Sequence, residues 1–296
     1  MRRFPLSMSA ILMAGSIAFI ATSCGNKELD DIIPDTVADT TDDGPIFQTG
    51  VPTPNEFFLV IKGLKVSSAS VELANLSKAS TLEGAKAQAL NFGIFSADLA
   101  YISTFDLNNK ALDYFKAVKQ IGDKLNITGA FDETVFQKVQ DNLNNGDSLM
   151  MLSNDTYFEA YNYLIENERG NVLAMIVAGG WLESLHIVTS LVGDYRNNDE
   201  TIQRIADQKL TLENIFEFMS TYSDDPDVTS TMEDLADIDI LFSELDVVEL
   251  ESAETTVENG KHVLSGGSKF VMSKEKYDQL RKLVSELRNK YLSATL

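Results

Sequence analysis

Glu183 and His186 are the residues whose types and spacing come closest to a known metal-binding pattern. They form Glu-x-x-His, which places both side chains on one face of a helix. Di-iron helical bundles use this spacing, but they need two such pairs and a glutamate from each of two other helices. The chain has only 2 histidines. Half of the pattern is therefore present, and the sequence favours no metal and no cofactor.

Asp98 and Arg169 are two more charged residues that interrupt apolar helical segments. Asp98 lies in the apolar stretch 93–101, and Arg169 lies in 166–171, which indicates a tight connection between antiparallel helices. Because a buried charge must be paired, we expect Asp98, Arg169, Glu183 and His186 to form a polar cluster among the helices. The sequence favours a structural network over a ligand site, and the cluster is where a ligand site would lie if one exists.

Signatures of hydrolases and nucleotide-binding enzymes are missing from the sequence. It contains no Gly-x-Ser-x-Gly, no His-Glu-x-x-His and no glycine-rich phosphate loop after a strand. The sequence therefore favours a non-enzymatic binding or accessory protein. A metal-binding, ferritin-like bundle and a structural envelope spacer remain as alternatives, because catalytic residues can assemble from distant positions.

Cys24 is the single cysteine of the 296 residues, and it follows a short leader. Arg2 and Arg3 form a basic start, residues 11–20 are largely apolar, and small residues at 21–23 precede the thiol. These features describe a secretory signal that is too short to remain as a membrane span. A free thiol or an intermolecular disulfide is the alternative reading of an unpaired cysteine.

The leader and Cys24 together resemble the lipobox of bacterial lipoproteins. The resemblance implies cleavage before Cys24, diacylglycerol on its sulfur and anchoring in lipid through acyl chains such as palmitate. Gly25 follows where an aspartate would favour inner-membrane retention, and residues 27–31 are similar to the acidic export signal of surface lipoproteins in Bacteroidota. We therefore expect an outer-membrane location, with the periplasmic or cell-surface face left open.

Acidic residues dominate the charge of the chain. The net charge is −21, and removal of residues 1–23 would leave 22 basic against 45 acidic side chains, a net charge of −23. Such a charge repels phosphates, so no nucleic-acid partner is expected and the membrane contact must come from the lipid. The protein or small-molecule partner stays undetermined.

Helical periodicity dominates after residue 54, and we predict an all-α bundle of about seven to nine helices. The domain prediction is a signal peptide at 1–23, a flexible tether at 24–54 and one helical domain at 55–296. Residues 171–192 predict a central core helix, in which Gly179 and Gly180 permit close approach of a neighbour. Asn259-Gly260 predicts one short hairpin near 255–263. A helix is predicted at 232–250.

The final predicted helix, at 273–292, carries an apolar stripe with basic flanks, on which we place Arg288. The preceding segment 211–260 has fifteen acidic residues and no Lys or Arg, so pairing between the two would reduce self-repulsion.

The body from about residue 52 to 292 resembles uncharacterised all-helical outer-membrane lipoproteins of Bacteroidota. The segments that carry the resemblance are 89–101 (ALNFGIFSADLAY), 166–171 (ENERGN) and 178–183 (AGGWLE). It implies a lipoprotein with a helical body and brings no established activity or substrate.

Overall fold

Eleven α-helices account for most of the chain that the computed structural model describes, which is residues 53–64, 71–127, 129, 134–197, 199–250, 256–258, 261–263 and 267–293. The predicted signal peptide, Cys24 and nearly all of the predicted tether lie outside these residues. The helices are α1 (Pro54–Gly63), α2 (Lys78–Thr81), α3 (Ala85–Thr104), α4 (Ala111–Lys124), α5 (Val135–Asp141), α6 (Gly146–Glu166), α7 (Gly170–Val192), α8 (Glu200–Ala206), α9 (Gln208–Ser220), α10 (Pro226–Ser243) and α11 (Lys274–Tyr291). The predicted all-α bundle is confirmed.

Helix α7 is the central helix of the bundle, as its composition predicts. It is long and apolar enough to cross a membrane, but 94% of its most apolar 18-residue window is buried inside the body. A helix that is apolar on all sides must be covered on all sides, and α3, α9 and α11 supply much of that cover. Gly193 ends it with φ of 66°, a conformation that glycine adopts without steric cost.

Gly93 on α3 and Gly179 on α7 let the two helices cross at very short range. A Cβ added at Gly93 would lie 2.0 Å from the carbonyl oxygen of Ile176, and one at Gly179 would lie 2.1 Å from that of Leu90. A Cβ at Gly180 would meet nothing closer than 3.5 Å. The predicted close approach is confirmed at Gly179, whereas Gly180 has room for a Cβ, and Gly93 is the glycine of the neighbouring helix that permits the crossing.

Four strands follow α10 and form two antiparallel ribbons. The predicted hairpin is confirmed as β2 (Thr256–Glu258) paired with β3 (Lys261–Val263). The helix predicted at 232–250 is wrong at its end, because α10 stops at Ser243 and β1 (Asp246–Leu250) pairs with β4 (Gly267–Val271). The β-branched pair Val247-Val248 favours the extended conformation, and β4 supplies the hydrogen bonds.

Acidic α10 packs against basic α11, as the charge pattern predicts. The Nζ atom of Lys290 lies 2.5 Å from Oδ1 of Asp234, and Lys276 pairs with Glu244 at the end of α10. Asp234 also pairs with Lys86 at 3.2 Å, which brings α3 into the same contact. These ion pairs fix which faces of the helices meet.

Candidate functional site

A buried ion pair between Glu183 and Arg288 is the centre of the polar cluster. The guanidinium donates from Nε to Oε2 of Glu183 at 2.6 Å and from Nη2 to Oε1 at 2.9 Å. The two side chains are 0% and 4% exposed. Burial alone would lower the pKa of Arg288, but the Glu183 carboxylate raises that pKa above its ordinary value. The pair is therefore bidentate, charged and sealed from solvent.

Asp98 on α3 lies beside this pair and is fully buried. Its Oδ2 accepts a hydrogen bond of 2.8 Å from the backbone N–H of Ala74, while Oδ1 has no donor among the described residues. Burial raises the pKa of Asp98 well above its usual range, and the neighbouring Glu183 carboxylate raises it further. A protonated Asp98 can use its O–H as a donor to Glu183, which leaves one negative and one positive charge in the cluster.

His186 lies one helical turn after Glu183 and is half-buried. Its Nε2 lies 3.2 Å from the backbone carbonyl oxygen of Glu72, to which Nη2 of Arg288 also donates at 3.1 Å. Burial lowers the pKa of His186. The neutral ring with its proton on Nε2 fits this contact, because the carbonyl oxygen can only accept.

Apart from Glu183, the residues of the cluster all bind one irregular segment, residues 71–77, which we name the strap. Asp98 accepts from the amide of Ala74, and the hydroxyl of Tyr114 on α4 donates to the carbonyl of Ala74 at 2.8 Å. His186 and Arg288 bind the carbonyl of Glu72. Among the described residues, no helix or strand backbone bonds these groups of the strap, and side chains of four helices bond them instead.

Arg169 is not part of the cluster, which corrects the prediction. Its Nη2 donates to the carbonyl oxygen of Leu125 at 2.8 Å, and its Nη1 to that of Asn126 at 3.3 Å. Arg169 thereby binds free carbonyls just after the end of α4, a common role for a basic residue at a helix C-terminus.

Arg288 takes the place in the cluster that the sequence suggests for Arg169. It lies on the buried face of α11 and is 3% exposed, so its placement on a basic flank is also wrong. The signal was present, because Arg288 follows buried Val284 by four residues and precedes buried Tyr291 by three. No comparable sequence pattern indicates that Tyr114 or the Glu72 carbonyl takes part in the cluster.

Metal binding is a poor fit to this arrangement. Both carboxylate oxygens of Glu183 accept from Arg288, and the histidine nitrogen nearest to the strap faces a carbonyl oxygen. Within the described ranges, no group of three or more His, Cys, Asp or Glu side chains could hold a metal ion. A cationic guanidinium already occupies the position that a metal would take.

A cavity lies beside α7, at the start of α1. It encloses about 320 Å³ including the space open to solvent, and its lining includes Thr53, Trp181, Ser184 and Gln208. The Thr53 hydroxyl accepts from the amide of Glu56, Trp181 donates to Gln208 at 3.1 Å and Ser184 donates to the carbonyl of Gly180. Its polar groups are already bonded within the protein, so few converge on a ligand.

Comparison of the chain with protein-family models, with curated proteins and with solved structures finds no match. Inference about function therefore depends on the residues themselves. The Glu183–Arg288 pair is sealed from solvent, and the contacts of the cluster with the strap support a structural role.

Proposed function

We propose that the protein is a lipid-anchored, non-enzymatic binding or accessory component of the outer membrane. The observation that carries the proposal is the closed Glu183–Arg288 pair, because it commits the side chains best suited to chemistry to holding the strap. A binding or accessory role needs a rigid body and an anchor, and neither requires an accessible acid, base or nucleophile.

Cys24 supports the anchored part of the proposal. It is the single cysteine, it directly follows the small residues of the leader, and the resemblance to a lipobox implies acylation. Two or more acyl chains anchor a protein stably. A net charge of −21 gives the chain no basic surface excess with which to bind anionic headgroups instead.

Fractionation of cells that express the Cys24→Ser variant tests the anchor. We expect the wild-type protein to partition into the detergent phase and the variant to move to the aqueous phase. Ser23→Ala is the matched control, because it keeps a small residue before the cysteine. Retention of Cys24→Ser in the membrane fraction would refute lipid anchoring.

In-cell crosslinking followed by purification separates a binding role from the spacer alternative. A binding component gives a reproducible protein adduct, whereas a spacer gives none above the level of an unrelated lipoprotein. Turnover of a substrate by the purified mature domain, whether or not it needs added metal, would overturn the non-enzymatic assignment.

A further inference from the structure

The outer edge of strand β1 has no neighbour among the described elements, while the other strand of its ribbon is covered. Strand β4 packs against α8, where Nε2 of Gln203 donates to the carbonyl oxygen of Phe270 at 3.1 Å. Lys209 adds a contact, with its Nζ 5.2 Å from the centroid of the Phe270 ring. On the opposite side of the ribbon, every residue of β1 from 246 to 249 is exposed.

The direction of the Phe270 carbonyl shows which β1 backbone groups are free. Phe270 pairs with Val247, and its carbonyl points away from β1 towards Gln203. In an antiparallel ladder, that makes Val247–Phe270 a pair without mutual hydrogen bonds. The N–H and C=O groups of Val247, and of Glu249 two residues later, therefore point outward from the ribbon.

The side chains of β1 are apolar and acidic. Val247 is 54% exposed and Val248 is 44% exposed, so both faces of the strand present an apolar side chain. Asp246 and Glu249 flank them and have no ion-pair partner among the described residues. An edge of this kind offers backbone pairing, apolar contact and two uncompensated negative charges to an incoming strand.

We propose that the β1 edge binds an extended segment of a partner protein in which Lys or Arg alternates with apolar residues, adding it as a third strand of the ribbon. The proposal rests on the binding role inferred above and specifies its partner. Backbone hydrogen bonds to Val247 and Glu249 would provide affinity. The basic residues of an alternating segment all lie on one face of the strand, and a basic side chain across from Glu249 would provide specificity.

The charge of β1 argues against two other occupants. A second copy of the chain would bring the acidic residues of two β1 strands close together, and like charges in a strand pair are destabilising. Residues 25–52 of the same chain carry seven acidic side chains and one lysine, so they would be repelled as well. A basic strand is the occupant that relieves the negative charge of the edge.

Titration of the mature protein with a nine-residue peptide of alternating Lys and Val tests the proposal. We expect saturable binding, together with slower hydrogen exchange of the Val247 and Glu249 amides. The same peptide with alternate N-methylated amides keeps the charge and loses strand pairing, so we expect no such protection with it. Absence of binding by the Lys/Val peptide, or binding without amide protection, would overturn the proposal.

Two substitutions separate edge pairing from general charge attraction. Glu249→Lys should weaken binding of the peptide about tenfold, whereas Asp155→Lys, an equal charge change on exposed α6, should leave it within about twofold. Val247→Pro should also weaken it about tenfold, since it removes an outward N–H without breaking the ladder. Circular dichroism checks whether the Val247→Pro variant folds. The hydrogen-exchange experiment uses the wild-type protein and does not depend on this variant.

Equal effects of Glu249→Lys and Asp155→Lys would show that the peptide is attracted by net charge alone and would refute binding at the β1 edge. Concentration-dependent dimerisation that Val247→Pro abolishes would assign the edge to a second copy instead. Neither result changes the detergent partitioning of Cys24→Ser, so failure at the edge is distinguishable from failure of the proposed anchor.

Discussion

Arg288 on the last helix binds Glu183 on the central helix through two parallel hydrogen bonds, at 2.6 and 2.9 Å. The pair joins positions 105 residues apart and is closed to solvent. The same guanidinium reaches the carbonyl of Glu72, so the strap, α7 and α11 share one contact. One charged side chain therefore joins the last helix both to the central helix and to the strap.

Breaking the ion pair on one side should be much more damaging than removing it altogether. We expect Arg288→Leu to lower the free energy of unfolding by about 3–5 kcal/mol, because it leaves Glu183 charged and unpaired in the core. The double variant Glu183→Leu/Arg288→Leu should recover a large part of that loss. Denaturant unfolding of both variants measures the difference. Lys282→Leu, which breaks the exposed Lys282–Glu286 contact on the same helix, should cost less than about 1 kcal/mol.

The α3–α7 crossing should tolerate a methyl group at one glycine and reject it at two others. Gly93→Ala and Gly179→Ala should each destabilise the fold by about 1–3 kcal/mol or more, because the new Cβ would overlap a backbone carbonyl that cannot rotate away. Gly180→Ala is the matched control, with room for Cβ and about 1 kcal/mol of helix propensity to gain. Thermal unfolding compares the three, and equal losses at Gly93 and Gly180 would contradict the crossing geometry.

Asp98 should make stability fall as pH rises. Because its pKa is raised above the ordinary value of 3.8, its proton stabilises the folded state fully below about pH 4, and that stabilisation is lost as pH rises through the folded pKa. Asp98→Asn keeps an acceptor for Ala74 and a donor for Glu183 without titrating. The stability of the wild type relative to this variant should therefore decrease from pH 4 upward. Asp113→Asn, at an exposed site, serves as the control; a difference that is independent of pH would refute the protonated Asp98.

Titration of His186 should lower the stability of the fold as pH falls, the opposite of the pH dependence expected for Asp98. The pKa of His186 is lowered from 6.5 by burial, so the unfolded chain takes up the proton first, and stability decreases as pH falls from about 6.5 towards the folded pKa. His186→Gln keeps a donor for the Glu72 carbonyl and does not titrate, so this loss should disappear. Nuclear magnetic resonance titration of the imidazole measures the pKa directly, and a value above 6.5 would contradict the burial of the ring, which is the main cause of the lowered pKa.

Much of the fold can be predicted from the sequence, because a packed helix requires apolar residues at regular, short spacings along the chain. Apolar residues at steps of three and four predict α3 and α4, and the continuous apolar run at 171–192 predicts a buried central helix. The glycine pair within it predicts the close crossing. Asn259-Gly260 predicts the hairpin of β2 and β3, since the signal for a tight turn lies within a few residues.

The formation of strand β1 and the identity of the residue that pairs with Glu183 both depend on contacts between positions far apart in the sequence. Residues 246–250 become a strand because 267–271 are available to pair with them, and nothing local in an acidic segment with helical neighbours indicates that partner. Glu183, Asp98 and His186 could be recognised as a cluster from their apolar surroundings. The spacing of Arg288 from Val284 and Tyr291 indicates the apolar face of its helix, but only the packed structure shows that this face meets Glu183.

The sequence by itself determined the class of fold, the core helix and the charged residues that had to be paired. Tertiary structure alone decided the pairing partner, the strap they hold and the exposed edge of β1. The physical reason is that periodicity records which side chains avoid water, whereas a hydrogen bond between residues far apart leaves no pattern along the chain. Backbone groups such as the Glu72 carbonyl are common to every residue type, so only the folded chain shows which of them need a partner.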